Sequence, residues 1–211
     1  MTPHGACCTV LDAAALKLLR PAMVVVARFL VAAGVGANAV TVAGFALGTA
    51  AALAIASGHP LWGLALLLAS RLCDGLDGAV ARLTQPTDAG AFLDITLDFV
   101  FYASIPLAFA VAEPAANALP AAVLLAAFIG TGSTFLAFAA LAAKRGLASA
   151  ALPGKGLYYL GGLTEATETI TCFVLMCLWP QHFAALAYGF AALCAVTIAT
   201  RLWGGWRALR V

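Results

Sequence analysis

The chain has 211 residues, 64% hydrophobic and 9% charged, with a net charge of +2, whereas an ordinary soluble domain carries roughly 45–50% apolar and about 25% charged residues. Eleven basic and nine acidic side chains cannot give a globule of 21.4 kDa the polar shell that water requires, and so small a net charge excludes nucleic acid as a partner. A mean hydropathy of +1.03, distributed in long apolar runs between short polar breaks, indicates an all-α integral membrane protein.

Residues 10–33 mix apolar side chains with Lys17, Arg20 and Arg28 at near-helical spacing around Pro21. This pattern predicts a basic amphipathic juxtamembrane helix lying along a membrane surface, kinked or split at the proline. The same charges leave no uncharged stretch for a secretory signal, so the N-terminus is expected to be retained. Gly34, Gly36 and Asn38 mark a break. Six transmembrane helices follow on hydropathy, at about 39–57, 61–82, 90–111, 119–143, 164–180 and 184–202. The breaks fall at Gly58–Pro60, Pro86, Pro114 with Pro120, Pro153–Gly156 and Pro180–His182, residues that end helices or turn the chain. With no internal repeat, residues 1–211 read as a single membrane domain, in which 39–202 form a six-helix bundle. Gly44 and Gly48 form a small-xxx-small pair that allows close helix packing. The six cysteines, mostly in apolar runs and without metal-ligand spacing, read as small packing residues.

Charge position sets the topology. Threading the spans back and forth puts Lys17, Arg20, Arg28, Arg82, Lys144, Arg145, Lys155, Arg201, Arg207 and Arg210 on one side, with Arg71 inside the second span. The opposite loops, 58–60, 112–118 and 181–183, contain no Lys or Arg. By the positive-inside rule the chain is a multi-pass protein of the cytoplasmic (inner) membrane with both termini in the cytoplasm. Tyr158, Tyr159, Trp203 and Trp206 near span ends read as interface anchors, and the scattered His4, His59 and His182 support no histidine-based catalysis.

Asp74, Asp77, Asp94 and Asp98 lie at the facing ends of the second and third spans. Each Asp at a helix centre costs about 2.5–3.5 kcal/mol on insertion scales, so four would cost on the order of 10–14 kcal/mol, less near the interface. Asp74 and Asp77 are i,i+3 and share one helix face; Asp94 and Asp98 are i,i+4 and share another. The short connection 83–90 makes the two helices antiparallel neighbours, so the pairs converge. Four close carboxylates repel one another and want a cation between them. An all-oxygen nest suits Mg²⁺ or Mn²⁺, leaving positions open to phosphate oxygens. Small residues surround the acids (Gly75, Gly78, Ala79, Ala81, Gly90, Ala91), and Arg82 stands at the mouth, where its fork suits a phosphate. Together these describe a diphosphate site at a membrane interface. A purely structural cluster held by Arg71 and Arg82 would leave two arginines against four acids. A cation or proton transporter would spread its acids over several spans, whereas these gather at one end.

Residues 74–98, DGLDGAVARLTQPTDAGAFLDITLD, resemble the signature of the CDP-alcohol phosphotransferases, D-x2-D-G-x2-A-R-x8-G-x3-D-x3-D. Asp74, Asp77, Gly78, Ala81, Arg82, Gly90, Asp94 and Asp98 fill its eight specified positions. The layout of a basic juxtamembrane helix followed by six spans extends the resemblance over most of the chain. Two departures are visible: seven residues, not eight, separate Arg82 from Gly90, shortening the loop at Gln85–Pro86, and Ala37 stands where such enzymes often have Pro. The shorter loop leaves the faces of both Asp pairs unchanged.

The resemblance implies a membrane enzyme of phospholipid biosynthesis that transfers a substituted phosphate from a CDP-linked alcohol, often CDP-diacylglycerol, to an acceptor alcohol with release of CMP. It implies two divalent ions held by Asp74, Asp77, Asp94 and Asp98, with Asp98 also the general base. It further implies nucleotide contacts from Gly78, Ala81, Arg82, Gly90 and Thr87, with Asn38 and Thr41, an active site facing the cytoplasm, and a homodimer. For the acceptor, the polar stretch 144–169 offers Lys144, Arg145 and Lys155 as anion contacts, alongside their reading as ordinary positive-inside residues. Glu165 and Glu168, one turn apart on the active-site side, are expected to face a polar cavity and bind the acceptor in preference to capping a helix N-terminus. Glycerol 3-phosphate, an inositol phosphate, serine or another headgroup fits this reading, as does transfer from a small CDP-alcohol to diacylglycerol.

Overall fold

The structure is a computed structural model that describes residues 22–145 and 164–210. Every described element is helical: α1 over Ala22–Ala32, then α2 (Ala37–Ala56), α3 (Pro60–Leu83), α4 (Asp88–Ala112), α5 (Pro114–Lys144), α6 (Ala166–Leu178) and α7 (Phe183–Leu209), with a 3₁₀ turn at Pro180–His182 before α7. Four of these, α2, α4, α5 and the Pro180–Leu209 segment, are long and apolar enough to cross a membrane. Helix α3 is 24 residues long, roughly 36 Å at about 1.5 Å per residue, but carries Arg71, Asp74, Asp77 and Arg82 along its second half. Helix α6 has 13 residues. Of the expected juxtamembrane segment, residues 22–32 are helical, while residues 10–21 lie outside the described residues, as does Lys155.

Helix ends follow local chemistry. Gly34 (φ 77°) and Gly58 (φ 81°) take the left-handed conformation at the ends of α1 and α2. There Val35 N–H reaches back to Leu30 O and His59 N–H to Ala54 O, closing the helix carbonyls as C-terminal glycine motifs do. Pro60 and Pro114 sit in the first turns of α3 and α5, where the missing N–H would have had no intrahelical partner. Helix α5 therefore begins five residues before the expected span, and Pro120, read as part of a break, lies inside it. Only Glu113 separates α4 from α5, and Asn117 Nδ2 ties the corner by donating to Phe109 O at 3.1 Å.

Helix α2 packs on α3 and α4, α5 on α4 and α7, and α6 on α3 and α7. The main core gathers Phe101, Ile105 and Phe109 of α4, Phe173 and Met176 of α6, and Phe183 and Phe190 of α7. Phe109 stacks on Phe183 at 4.7 Å between centroids, and Phe101 meets Phe173 edge-on at 6.5 Å. Cys172, Cys177 and Cys194 are buried free thiols in this core. A second cluster, Ala27 with Val40, Ala79 and Val80, seats α1 against α2 and α3. Burial elsewhere on the long helices is low: many large apolar side chains, among them Trp62, Phe92 and Ile129, are exposed. A bundle with a modest core and an apolar outer surface is what lipid, not water, accommodates.

Candidate functional site

The second half of α3 places Arg71, Asp74, Asp77, Gly78 and Ala81 at three- and four-residue intervals, which brings them onto one face. The first half of α4 does the same with Gly90, Ala91, Asp94 and Asp98. Thr87 caps α4, its Oγ1 accepting the Gly90 N–H at 3.1 Å, so the loop hands the chain into α4 with Gly90 already fixed. Helix α2 closes the third side, and its glycines permit the approach. A Cβ added at Gly44 would lie 2.9 Å from Cys73 Cβ, and one at Gly48 would lie 2.6 Å from Phe101 Cδ2.

Carboxylate oxygens of Asp74, Asp94 and Asp98 lie within 4.8 Å of one another. One aspartate of the first pair and both of the second therefore converge across the two helices. Three hard oxygen ligands at this separation form a group that could hold a divalent ion, with room for water or phosphate oxygens to complete its shell. Asp77 stands beside this group, 6% exposed, and its Oδ2 accepts the Thr41 hydroxyl at 2.7 Å. On the other flank Arg71 Nη1 donates to Asp98 Oδ1 at 2.8 Å and lies 3.5 Å from Asp74 Oδ1.

Next to the acids is a cavity of about 200 Å³, lined by Asn38, Thr41, Asp77, Gly78, Ala81, Gln85, Pro86, Thr87, Gly90 and Asp94 among others. It collects every residue expected at the nucleotide except Arg82. The Arg82 guanidinium lies over Gly78, where an added Cβ would meet Nη1 at 3.3 Å. Gly90 lets these side chains approach closely: an added Cβ would sit 2.9 Å from Asn38 Oδ1 and 3.1 Å from Thr87 Oγ1, so Asn38 would have to shift. The shortened loop contributes Gln85, Pro86 and Thr87 to the wall.

A second cavity of about 390 Å³ opens on the other side of Asp98, lined by Asp98, Tyr102, Thr131, Phe135, Thr164, Glu165 and Arg201 among others. Arg201 is 8% exposed; its Nη1 donates to Thr131 O at 3.2 Å, and its Nε is buried without a hydrogen-bond partner among the described residues. A last span ending at about residue 202 makes Arg201 a positive-inside charge at its end. Because α7 runs on to Leu209, the residue instead lies within the helix, and a buried arginine in a membrane helix is itself a functional signal. Beyond Tyr102 and Gly132, which line both spaces, runs an apolar groove of about 550 Å³ past Leu125, Phe128, Ile129 and Leu136.

The remaining acceptor candidates divide. Glu165 lines the second cavity, but it is also the N-cap of α6 and forms a capping box with Glu168, whose Oε2 accepts the Glu165 N–H at 3.0 Å. Capping and cavity are therefore not alternatives for Glu165, which does both, while Glu168 caps: an acid at N3 satisfies an otherwise orphaned N–H at the start of a helix. Lys144 ends α5 and Arg145 caps it, with Arg145 Nη1 donating to Leu209 O at 2.6 Å. Neither is among the residues that line the second cavity.

Residues 34–203, most of the chain, match the CDP-alcohol phosphatidyltransferase family. The chain belongs to that family. The Escherichia coli (strain K12) inner membrane protein YnjF is 50% identical to it over 192 residues, which is 91% of this chain and 93% of that protein. The archaetidylinositol phosphate synthase of Methanothermobacter thermautotrophicus is 51% identical over 63 residues, 29% of this chain and 32% of that enzyme. Phosphatidylinositol phosphate synthase of Mycobacterium tuberculosis, solved with manganese and citrate, has a TM-score of 0.67 at 23% identity, covering 87% of this chain and 88% of its own. With CDP-DAG bound the same enzyme gives 0.63 at 24% identity, over 87% and 93%. At these identities the two structures establish a shared fold for this CDP-alcohol phosphatidyltransferase.

Proposed function

We propose that this phosphatidyltransferase moves a phosphatidyl group from CDP-diacylglycerol to a hydroxyl of a phosphorylated polyol such as an inositol phosphate, releasing CMP, on the cytoplasmic face of the inner membrane. In this reading α3 and α6 complete six crossings, the whole chain is one domain, and the enzyme is a homodimer. The observation that carries the reaction is the place of Asp98, which belongs to the carboxylate cluster and also to the wall of the second cavity.

Asn38, Thr41, Gly78, Ala81, Thr87 and Gly90 surround the cytidine nucleotide, with Arg82 over its phosphates. Asp74, Asp77, Asp94 and Asp98 hold two divalent ions, Mg²⁺ or Mn²⁺, which neutralise the diphosphate and polarise its phosphorus. The apolar groove past Leu125 and Ile129 accepts an acyl chain of the donor. In the second cavity the Arg201 guanidinium takes the acceptor's phosphate, a planar fork that suits two phosphate oxygens, and Glu165 takes a hydroxyl. Asp98 accepts the proton of the attacking hydroxyl as its oxygen bonds to the β-phosphorus and the bond to CMP breaks. A phosphorylated acceptor is favoured over serine because a phosphate offers the buried guanidinium more negative charge than serine's one carboxylate, which comes with an ammonium group beside it. The inositol phosphate lipids made by two relatives support the same choice.

The test is CMP release by the reconstituted protein with CDP-diacylglycerol, Mg²⁺ or Mn²⁺, and a panel of inositol phosphate, glycerol 3-phosphate, inositol and serine. Release is expected with a phosphorylated polyol and should disappear with EDTA and in Asp98→Asn. Arg201→Gln should raise the acceptor KM at least tenfold while leaving the donor KM in place. Undiminished release in Asp98→Asn, or a preference for serine, would refute the reading.

A further inference from the structure

The carboxylate cluster contains a cation of its own. Arg71 lies one helical turn before Asp74, with its side chain 11% exposed. Nη1 donates to Asp98 Oδ1 at 2.8 Å and lies 3.5 Å from Asp74 Oδ1, so one nitrogen stands between two of the three converging carboxylates. The rest of the guanidinium is locked. Nη2 donates to Ser70 Oγ at 3.2 Å, and the central carbon stacks 3.9 Å over the Phe101 ring, itself 1% exposed. Gly48 leaves the space for that ring. Nε is buried with no hydrogen-bond partner among the described residues, and the contacts of the other two nitrogens hold the group where it is. A guanidinium cannot be deprotonated in a protein.

A fixed positive charge at this range has two opposite effects. It draws Asp98 and Asp74 together across the α3–α4 interface when no ion is present. It also repels an approaching divalent cation through partly dry surroundings, where charges act strongly. We propose that Arg71 is a resident cation and positioning residue of the cluster, holding Asp98 in place in the ion-free protein and keeping the affinity for divalent ions low enough for ready exchange. This rests on the reading of the aspartates as the ion site.

The experiment titrates the full-length detergent-solubilised protein with Mn²⁺, without nucleotide, following free Mn²⁺ by electron paramagnetic resonance. Thermal unfolding is measured in parallel with and without Mn²⁺. Arg71→Gln should bind Mn²⁺ at least tenfold more tightly than the wild type, melt lower without the ion, and regain more of its melting temperature on adding it. Arg71→Lys, which retains the charge, should stay within about threefold of wild-type affinity. A merely structural arginine would lower the melting temperature with and without Mn²⁺ and leave the affinity unchanged. An unchanged or weaker affinity in Arg71→Gln overturns the inference while the ion site stands. If the glutamine variant cannot be purified, Arg71→Met takes its place with the same expectation: at least tenfold tighter Mn²⁺ binding supports the inference, and an unchanged or weaker affinity overturns it. Wild-type protein that binds no Mn²⁺ overturns both readings.

Discussion

Replacing Thr41 with valine removes one hydroxyl while keeping the shape of the side chain. That hydroxyl donates to Asp77 Oδ2 at 2.7 Å, and Asp77 is 6% exposed, so water cannot readily replace the bond. A hydrogen bond to a charged group contributes about 1.5–3 kcal/mol, and each 1.4 kcal/mol is about tenfold in an equilibrium constant. If Asp77 is an ion ligand, the loss corresponds to roughly 10- to 150-fold, close to the roughly 10–100-fold typical when the partner of a metal ligand is removed. The assay is CMP release against Mn²⁺ concentration at saturating substrates. Thr41→Val should raise half-saturating Mn²⁺ by about 10- to 100-fold, and Thr41→Ser, which restores the donor, should lie near the wild type. A nucleotide contact alone would instead raise the donor KM. Half-saturation within threefold of wild type in the valine variant would refute the positioning of Asp77 by Thr41.

Two further variants probe the surroundings. Gly48→Ala would place a Cβ 2.6 Å from Phe101 Cδ2 and 3.1 Å from Ser70 Oγ, and overpacking of this kind costs about 1–3 kcal/mol. Its melting temperature and its CMP release should both fall, because the displaced ring carries Arg71; an unchanged melting curve would contradict the contact. Glu168→Ala should lose the capping box of α6, worth about 0.5–2 kcal/mol, and melt lower with its acceptor KM unchanged. A tenfold rise in that KM would return Glu168 to the acceptor site.

The carboxylates were legible in the sequence because their spacing does geometric work: i,i+3 and i,i+4 pairs on two helices joined by a short loop have few ways to point except at each other. The small residues among them were legible for the same reason, since Gly90 and Gly78 face the cavity that the acids border. Most helix positions were legible from hydropathy to within a few residues. The larger misses were at α5, where Pro120, read as part of the break, lies inside a helix that already starts at Pro114, and at α7, which continues through charged and aromatic residues to Leu209. That second error hid Arg201, because a charge thought to lie at a helix end reads as topology while one within a helix reads as a site. The capping role of Glu168 and the capture of Asp98 by Arg71 depend on rotamers and on where neighbouring helices cross. Spacing along a single chain carries no such information.

Asp98 belongs to the carboxylate cluster and to the wall of the cavity that holds a buried guanidinium, so in the proposed reaction it stands between two rooms, one for the nucleotide and one for the acceptor. A compound that tethered a cytidine nucleotide to a polyol phosphate by a short spacer would furnish both at once. Having given up its freedom of translation a single time, it would bind far more firmly than either half.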